Sequence, residues 1–474
     1  MSDPVLEPPQ IKTAIPAKKA RYCQAWRWHF FAGLYAIPFM LMLAITGMIM
    51  LLFRPLIEPA LYSEITHVQP GQNYLSWEQQ RYKVAQAYPD GQVTQLTLPK
   101  TADESSRFLV KTSEGTNLQV FINPYTGDVL GNYDKNDTLY ALADEIHGTF
   151  LLGKTGDALI ELSMGFSLVL LITGFYMWWP RLKQRKVSFW KPSMGYQGRS
   201  FWKELHGVTG VWLSAILVFF IITGLSWTGI WGARIVQPWN SFPAGVWGGV
   251  PVSDQTHATL NPGVNEEVPW NLELVPMPES GSLTGKPGIP ETFSVNLDTV
   301  VAYGKDNGMT TFRVSIPQSE TGVYTLMAAT MSGDITDARQ DRTIHIDQYT
   351  GNKLGDIGYN DYSLIAKSMA TGIGLHMGLW GNWNLVSNLI ACLLTIFLCA
   401  GGCVLWWKRR PSAQKQSLNA PPLSEKPELL SWKAAVLIWA SISVFVPLMG
   451  AAVILILIAD SIYAMTTRQF SNNS

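Results

Sequence analysis

The sequence predicts an α-helical integral membrane protein: five transmembrane helices, four of them a duplicated bundle, with two α+β domains outside the bilayer. Three observations carry this. Five long segments, 28–54, 160–180, 205–232, 374–407 and 433–459, are apolar enough to span a hydrocarbon core of roughly 30 Å. The composition is 47% hydrophobic and only 15% charged, against about 25% charged in an average soluble protein, and 19 tryptophans suit membrane interfaces. The pattern of the first half of the chain also returns in the second.

The first apolar run follows Lys18, Lys19, Arg21 and Arg27 and is uncharged from Phe30 to Phe53. It is longer than a signal-peptide core and is read as a retained helix. Basic residues also cluster between the second and third segments (Arg181, Lys183, Arg185, Lys186, Lys191) and after the fourth (Lys408, Arg409, Arg410, Lys415). The positive-inside rule places these in the cytoplasm. The chain then divides into a cytoplasmic N-terminus 1–27, first span 28–56, outer domain 57–145, and outer histidine segment with second span 146–181. A cytoplasmic loop 182–204, third span 205–232, outer domain 233–366, and outer histidine segment with fourth span 367–407 follow. A second cytoplasmic loop 408–432, fifth span 433–463 and outer tail 464–474 complete it.

The duplication is detailed. His29 precedes Thr46-Gly47 by the interval that separates His206 from Thr223-Gly224, and Gly33 and Gly210 each follow their histidine by four residues. The second and fourth spans end in Trp178-Trp179-Pro180-Arg181 and Trp406-Trp407-Lys408-Arg409, interfacial anchors backed by snorkelling cations. Thr173-Gly174 and Gly401-Gly402 precede those anchors, and His147 and His376 lie near the outer starts. In the outer domains, amphipathic helices at 77–88 and 297–307 each precede three strand-like runs: 92–98, 106–112 and 117–123, then 310–316, 322–330 and 341–347. Each set closes on a glycine turn, Tyr125-Thr-Gly-Asp-Val-Leu-Gly-Asn132 or Tyr349-Thr-Gly-Asn-Lys-Leu-Gly-Asp356. Residues 233–290, rich in Pro, Gly and Trp, form an insertion with little regular structure expected.

Several functions are disfavoured. Zero net charge implies no pull on nucleic acid. Of four cysteines, Cys392, Cys399 and Cys403 share one apolar segment, so no disulfide framework covers the polar stretches. The chain has no CxxC, no Gly-rich nucleotide fingerprint and no Walker lysine, so an electron donor would be another molecule.

The His…Thr-Gly helices, the His-Gly-x-x-Leu-Leu-Gly run at 147–153, the Trp-Trp-Pro-Arg ending and the Tyr-Thr-Gly domains together resemble the PepSY-associated transmembrane helix family, iron-regulated membrane proteins. The resemblance covers roughly residues 25–410. It implies a bacterial inner-membrane protein with two periplasmic PepSY-like domains and two b-type haems, reducing ferric siderophore at the periplasmic side. The long insertion and the fifth span depart from the family pattern.

Seven histidines occur: His29, His67, His147, His206, His257, His345 and His376. His29 and His206 begin helices that run outward, and His147 and His376 precede helices that run back. A span of roughly 20 residues, or about 30 Å, separates the two levels. The haem-iron pairs are therefore His29 with His206 and His147 with His376. Gly33 and Gly210, one turn from their ligands, are read as haem-contacting positions that leave room for a flat ring. The Thr-Gly and Gly-Gly pairs are read as clearance at the level of the opposite histidines. Because His376 lies 30 residues before Trp406, the outer pair sits at or above the interface, or the helix breaks near Gly378–Asn382. His67, His257 and His345 have no matched partner and are read as surface or strand histidines. Arg27, Arg181, Lys203 and Lys408 are placed to meet haem propionates. Glu161 and Asp460 are read as solvated at the interface, and the aromatic loop Trp227–Trp247 as an interfacial anchor. The expected reaction passes electrons from an unknown cytoplasmic donor through the bilayer to a periplasmic ferric siderophore, releasing Fe(II). Two other readings stay open: a non-enzymatic PepSY-domain protein that binds or restrains a periplasmic partner, and a transporter.

Overall fold

The computed structural model describes residues 17–184, 189–239, 247–261, 263, 267–409, 436–437, 439–440, 443–444 and 446–472. Among these, four helices are long and apolar enough to cross a membrane: α1 (Ala17–Leu52), and, numbering in chain order, α4 (Gly153–Lys183), α5 (Gly198–Leu225) and α8 (Asn382–Trp407). Many large apolar side chains on them face outward, including Leu34, Trp212, Ile216 and Ile390, as a lipid solvent permits. The expected fifth span is described only in part. Its helix α9 (Pro447–Asn472) has an apolar stretch over Pro447–Tyr463, and much of 433–446 lies outside the described residues.

The chain forms two compact units. One holds residues 1–41, 158–221 and 394–474, the other 42–157 and 222–393. In the first unit, helix packing relies on small residues and aromatic–cation contacts. A Cβ on Gly165 would lie 2.9 Å from Met449 Cα, so glycine lets α9 approach α4 closely. A Cβ on Gly207 would strike the Trp178 ring. Arg181 lies 3.6 Å from the Trp178 ring centroid and is ion-paired with Glu204. Arg27 is fully buried and packs on Phe31 and Tyr463, and Arg409 packs on Trp26 and Phe30. Glu161 is also fully buried, not solvated as its place near a helix start implies.

The second unit centres on one eight-stranded antiparallel sheet. The strands are β1 (Gln92–Thr97), β2 (Ser106–Lys111), β3 (Asn117–Ile122), β4 (Val129–Asp134), β7 (Arg313–Ser315), β8 (Val323–Ala328), β9 (Arg342–Asp347) and β10 (Lys353–Gly358), in the order β10-β9-β8-β7-β1-β2-β3-β4. The two outer domains expected from the duplication are therefore halves of one sheet, joined where β1 pairs with β7 and Leu96 opposes Val314. Each half is an antiparallel meander with one apolar face. Both faces meet in one core that includes Val84, Phe108, Val120, Phe312, Leu326 and Ile344, each buried side chain contributing about 1.5–3 kcal/mol.

Helices α2 (Trp77–Ala87) and α6 (Leu297–Asp306) start with capping boxes at Ser76/Gln79 and Asn296/Thr299. They also cap one another. Asp298 accepts from the Trp77 N–H at 2.6 Å and Glu78 from the Leu297 N–H at 3.0 Å, each carboxylate meeting the other helix's positive end. The repeated Tyr-Thr-Gly turns share a mechanism. Asn123 Oδ1 accepts from the N–H of Tyr125, and Asp347 Oδ1 from that of Tyr349. Gly127 and Gly351 then take φ of 75° and 71°. Among its described residues the insertion contributes the short pair β5 (Val252–Thr256) and β6 (Pro276–Pro278) and single helical turns at Gly232–Val236, Gln237–Trp239 and His257–Leu260, which is little regular structure, as expected. It is nonetheless well buried: Trp247, Val268, Leu272 and Val275 form a cluster with Met327 and Ile357. Its Glu267 is ion-paired with Arg313 of β7 and, at 2.7 Å, with Lys135 just after β4.

Candidate functional site

Each unit brings together one of the two expected histidine pairs. In the first, His29 on α1 and His206 on α5 face each other with ring centroids 6.3 Å apart and planes 87° apart. That is too far for a hydrogen bond between the rings. Two imidazoles bound to opposite sides of one metal, at about 2 Å per bond, have centroids roughly 6 Å apart.

In the second unit, His147 closes helix α3 (Leu139–Thr149) and His376 closes helix α7 (Leu364–His376). Neither stands on a membrane-length helix, contrary to the simplest sequence picture. The chain breaks after each, and the break at Gly378–Asn382 is the alternative the long His376–Trp406 interval had left. After His376, Gly378 and Gly381 take φ of 72° and 81°. Any other residue at Gly378 would be strained by this φ, and its Cβ would also displace a Leu51 methyl 2.5 Å away. After His147 the turn uses Phe150 and Leu151 at φ of 51° and 59°, which costs roughly 1–2 kcal/mol per non-glycine residue. Asn384 and Asn388 donate to the Leu375 carbonyl at 2.9 and 2.8 Å, and Asn388 also to that of His376 at 3.0 Å. They satisfy the end of α7 and fix the His376 backbone. Burial lowers the His147 pKa to about 4, and burial together with His147 lowers that of His376 to about 3. Both are neutral imidazoles at neutral pH, the form a metal requires.

The Thr-Gly pairs lie beside the histidines of their own unit. Thr173 Oγ1 is 3.0 Å from His29 Nδ1, Thr46 Oγ1 2.8 Å from His147 Nδ1, and Thr223 Oγ1 2.6 Å from His376 Nδ1. The hydroxyls of Thr173 and Thr46 donate to carbonyls one turn back, Val169 at 2.6 Å and Met42 at 2.8 Å. Their lone pairs therefore accept from Nδ1–H, which sets the tautomer and leaves Nε2 as a free base. The adjacent glycines let each imidazole lie against the helix. A Cβ on Gly174 would be 3.2 Å from His29 Cε1, on Gly47 3.6 Å from His147 Cε1, and on Gly224 3.8 Å from His376 Cε1. Sequence reasoning read these pairs only as clearance and missed the hydroxyls, although a threonine at a constant interval from a histidine was visible. It also missed Asn384 and Asn388, whose partners are main-chain atoms.

Gly33 and Gly210 behave differently. A Cβ on Gly33 would approach nothing closer than 3.8 Å, and one on Gly210 nothing closer than 4.0 Å. Packing among the described residues does not require glycine there, so both suit a face kept low for a planar group. Facing imidazoles, fixed tautomers and low glycine faces are the elements of a bis-histidine haem site, and the residues present fit that group.

A family model for the PepSY-associated TM region matches residues 26–409. The chain belongs to the PepSY-associated transmembrane family. It is accordingly a multi-pass membrane protein. No curated protein matches it.

Other expected site residues are placed elsewhere. Arg181 pairs with Glu204 and packs on Trp178, and Arg27 packs on Phe31 and Tyr463. Trp247 is buried in the domain core, not at an interface, and 240–246 lie outside the described residues. His257 and His345 are not isolated. They are fully buried partners, their Nε2 atoms 2.9 Å apart, with Trp247 stacked on His257. His67 sits beside Thr66, its Nδ1 2.9 Å from the hydroxyl.

Proposed function

We propose that the chain is a dihaem electron-transfer protein of the bacterial inner membrane. It takes electrons from a cytoplasmic donor and reduces a periplasmic ferric siderophore, from which Fe(II) is released. The observation that carries this reading is the shared construction of the two histidine pairs. In each unit, imidazoles from different helices come together, and threonine hydroxyls lie at hydrogen-bond distance from Nδ1 of three of the four, His29, His147 and His376. Two b-type haems would supply one-electron transfer here. His29 and His206 would hold one, His147 and His376 the other. Gly33 and Gly210 leave room beside the first pair, and Asn384 and Asn388 hold His376 in place. The basic loops mark the cytoplasmic side, which puts the sheet and its insertion in the periplasm. The chain-borne work is to orient the ligands and exclude water, and the redox chemistry belongs to the cofactor.

The experiment is absorbance spectroscopy of the purified protein, reduced minus oxidised, with haem quantified per chain. Two haems per chain are expected. Chemically reduced protein should be re-oxidised by a ferric siderophore, with Fe(II) captured by a trapping chelator, while the gallium chelate leaves it reduced. A colourless protein would overturn the haem reading. Failure of every ferric chelate would leave two haems with a different acceptor.

A further inference from the structure

Three of the four ligand imidazoles are held by a threonine hydroxyl, and the fourth is not. Gly401-Gly402 occupies on α8 the place that Thr173-Gly174 occupies on α4. His206 Nδ1 is shielded from solvent and has no hydrogen-bond partner among the described residues. The Leu398 carbonyl is near enough to interact with the ring but does not complete a bond at standard geometry. The position is suited to a hydroxyl: a Cβ on Gly401 would lie 3.4 Å from His206 Nδ1, in ordinary van der Waals contact. A helical threonine or serine there would bond its own helix one turn back, as Thr173 does, and present a lone pair to the imidazole.

We propose that Gly401 sets the reduction potential of the His29/His206 centre by withholding a hydrogen bond from His206. The inference rests on the haem reading above. An Nδ1–H that donates a hydrogen bond pushes electron density toward Nε2, makes the imidazole a more basic ligand and favours the oxidised metal. His29 has this support and His206 lacks it. The centre is therefore ligated by unequal imidazoles, and it is easier to reduce than one with a hydroxyl on both. Gly401 is a positioning residue by omission: it touches the ligand, not the reacting atoms.

The test is a redox titration of the full chain in detergent, followed in the haem absorbance bands, for wild type, Gly401→Thr, Gly401→Ser and Thr173→Val. A His147→Ala background, which retains only the His29/His206 haem, assigns the transition. Gly401→Thr and Gly401→Ser should lower the potential of that haem and leave the other unchanged. Thr173→Val should raise it. The low-spin electron paramagnetic resonance signal of the same haem should change with each. Wild-type protein without haem would overturn the ligand reading itself. Two haems in Gly401→Ser with an unmoved potential would overturn the role of Gly401 while leaving the ligands standing. Should Gly401→Thr shed haem through crowding, Gly401→Ser and Thr173→Val decide, and an unmoved potential in both overturns the proposal.

Discussion

His29/His206 and His257/His345 are both close histidine pairs, and they are built to opposite ends. In the first, ring centroids stand 6.3 Å apart, and Thr173 sets the His29 tautomer so that Nε2 is left as the free base. In the second, centroids are 5.0 Å apart and the nitrogens satisfy one another. His257 Nδ1–H donates to the Val275 carbonyl at 2.7 Å, so its Nε2 must accept from His345 Nε2–H at 2.9 Å. His345 Nδ1 then accepts from Thr325 Oγ1–H at 3.0 Å. No lone pair is left for a metal. A space of one atom between imidazoles, and not their proximity, separates a ligand pair from a structural pair.

The sharpest way to break this comparison is to remove one histidine from each kind of pair. His206→Ala should lose one of two haems per chain, and His376→Ala the other. His345→Ala should keep both. Full haem occupancy in His206→Ala, or loss of a haem in His345→Ala, would erase the distinction.

The contrast also shows what a sequence carries. The histidine quartet and its pairing were legible because the histidines recur at fixed intervals beside apolar helices, where even weak periodic signals add up. Three strands of each half and the two capped helices were legible for the same reason, each appearing twice, whereas β4 and β10, which follow the Tyr-Thr-Gly turns, were not among the expected runs. His345 is a strand histidine, as read, but its contact with His257 was hidden because the two lie 88 residues apart, on the insertion and on β9, with no repeated partner. The joining of two expected domains into one sheet was equally hidden. The β1–β7 contact is three residue pairs long, and neither strand's alternation says which edge it will meet. The buried Glu267 gave no signal, because a carboxylate in a Pro- and Gly-rich stretch reads as solvated.

A smaller effect sharpens the ligand side of the comparison. Gly210→Leu keeps His206 but fills the low face one turn away, where a Cβ meets no described atom closer than 4.0 Å. It should insert normally and lose most of the haem held by His29 and His206, measured as haem per chain. Unchanged haem absorbance would mean that the face serves some other purpose.

On the structural side, the insertion should matter to folding and not to haem. Burial alone would raise the Glu267 carboxyl, but Arg313 and Lys135 outweigh it and hold it down to about 2. Glu267→Gln leaves two buried cations short of a partner, although Arg313 keeps Asp334 at 2.8 Å. The expected loss is about 3–5 kcal/mol, seen in thermal or denaturant unfolding of the sheet-bearing unit, with haem content per folded chain unchanged. The sign with pH follows from the depressed pKa. This contribution is complete above the ordinary glutamate range and is lost as pH falls from about 4.5 toward 2. Wild-type stability in Glu267→Gln would show the network to be dispensable.

The smallest effect concerns the structural histidines alone. Burial lowers the His257 pKa to about 4, and burial together with His257 takes His345 well below the usual imidazole range. Both are neutral in the fold, whereas an unfolded histidine takes up a proton near pH 6.5. Stability from the pair is therefore complete above about pH 6.5 and declines as pH falls from there toward 4. For His257 the decline amounts to roughly 3 kcal/mol. Other buried groups, His147 and His376 among them, also contribute between pH 6.5 and 5, so the difference between two profiles, and not the wild-type slope, isolates the pair. The measurement is the unfolding midpoint of the full chain against pH, compared with a His257→Phe/His345→Leu double variant that has neither imidazole. The double variant should show a flatter profile in that interval. Coincident slopes would mean that the two rings titrate normally in the folded protein, and that the 2.9 Å contact does not exclude the proton.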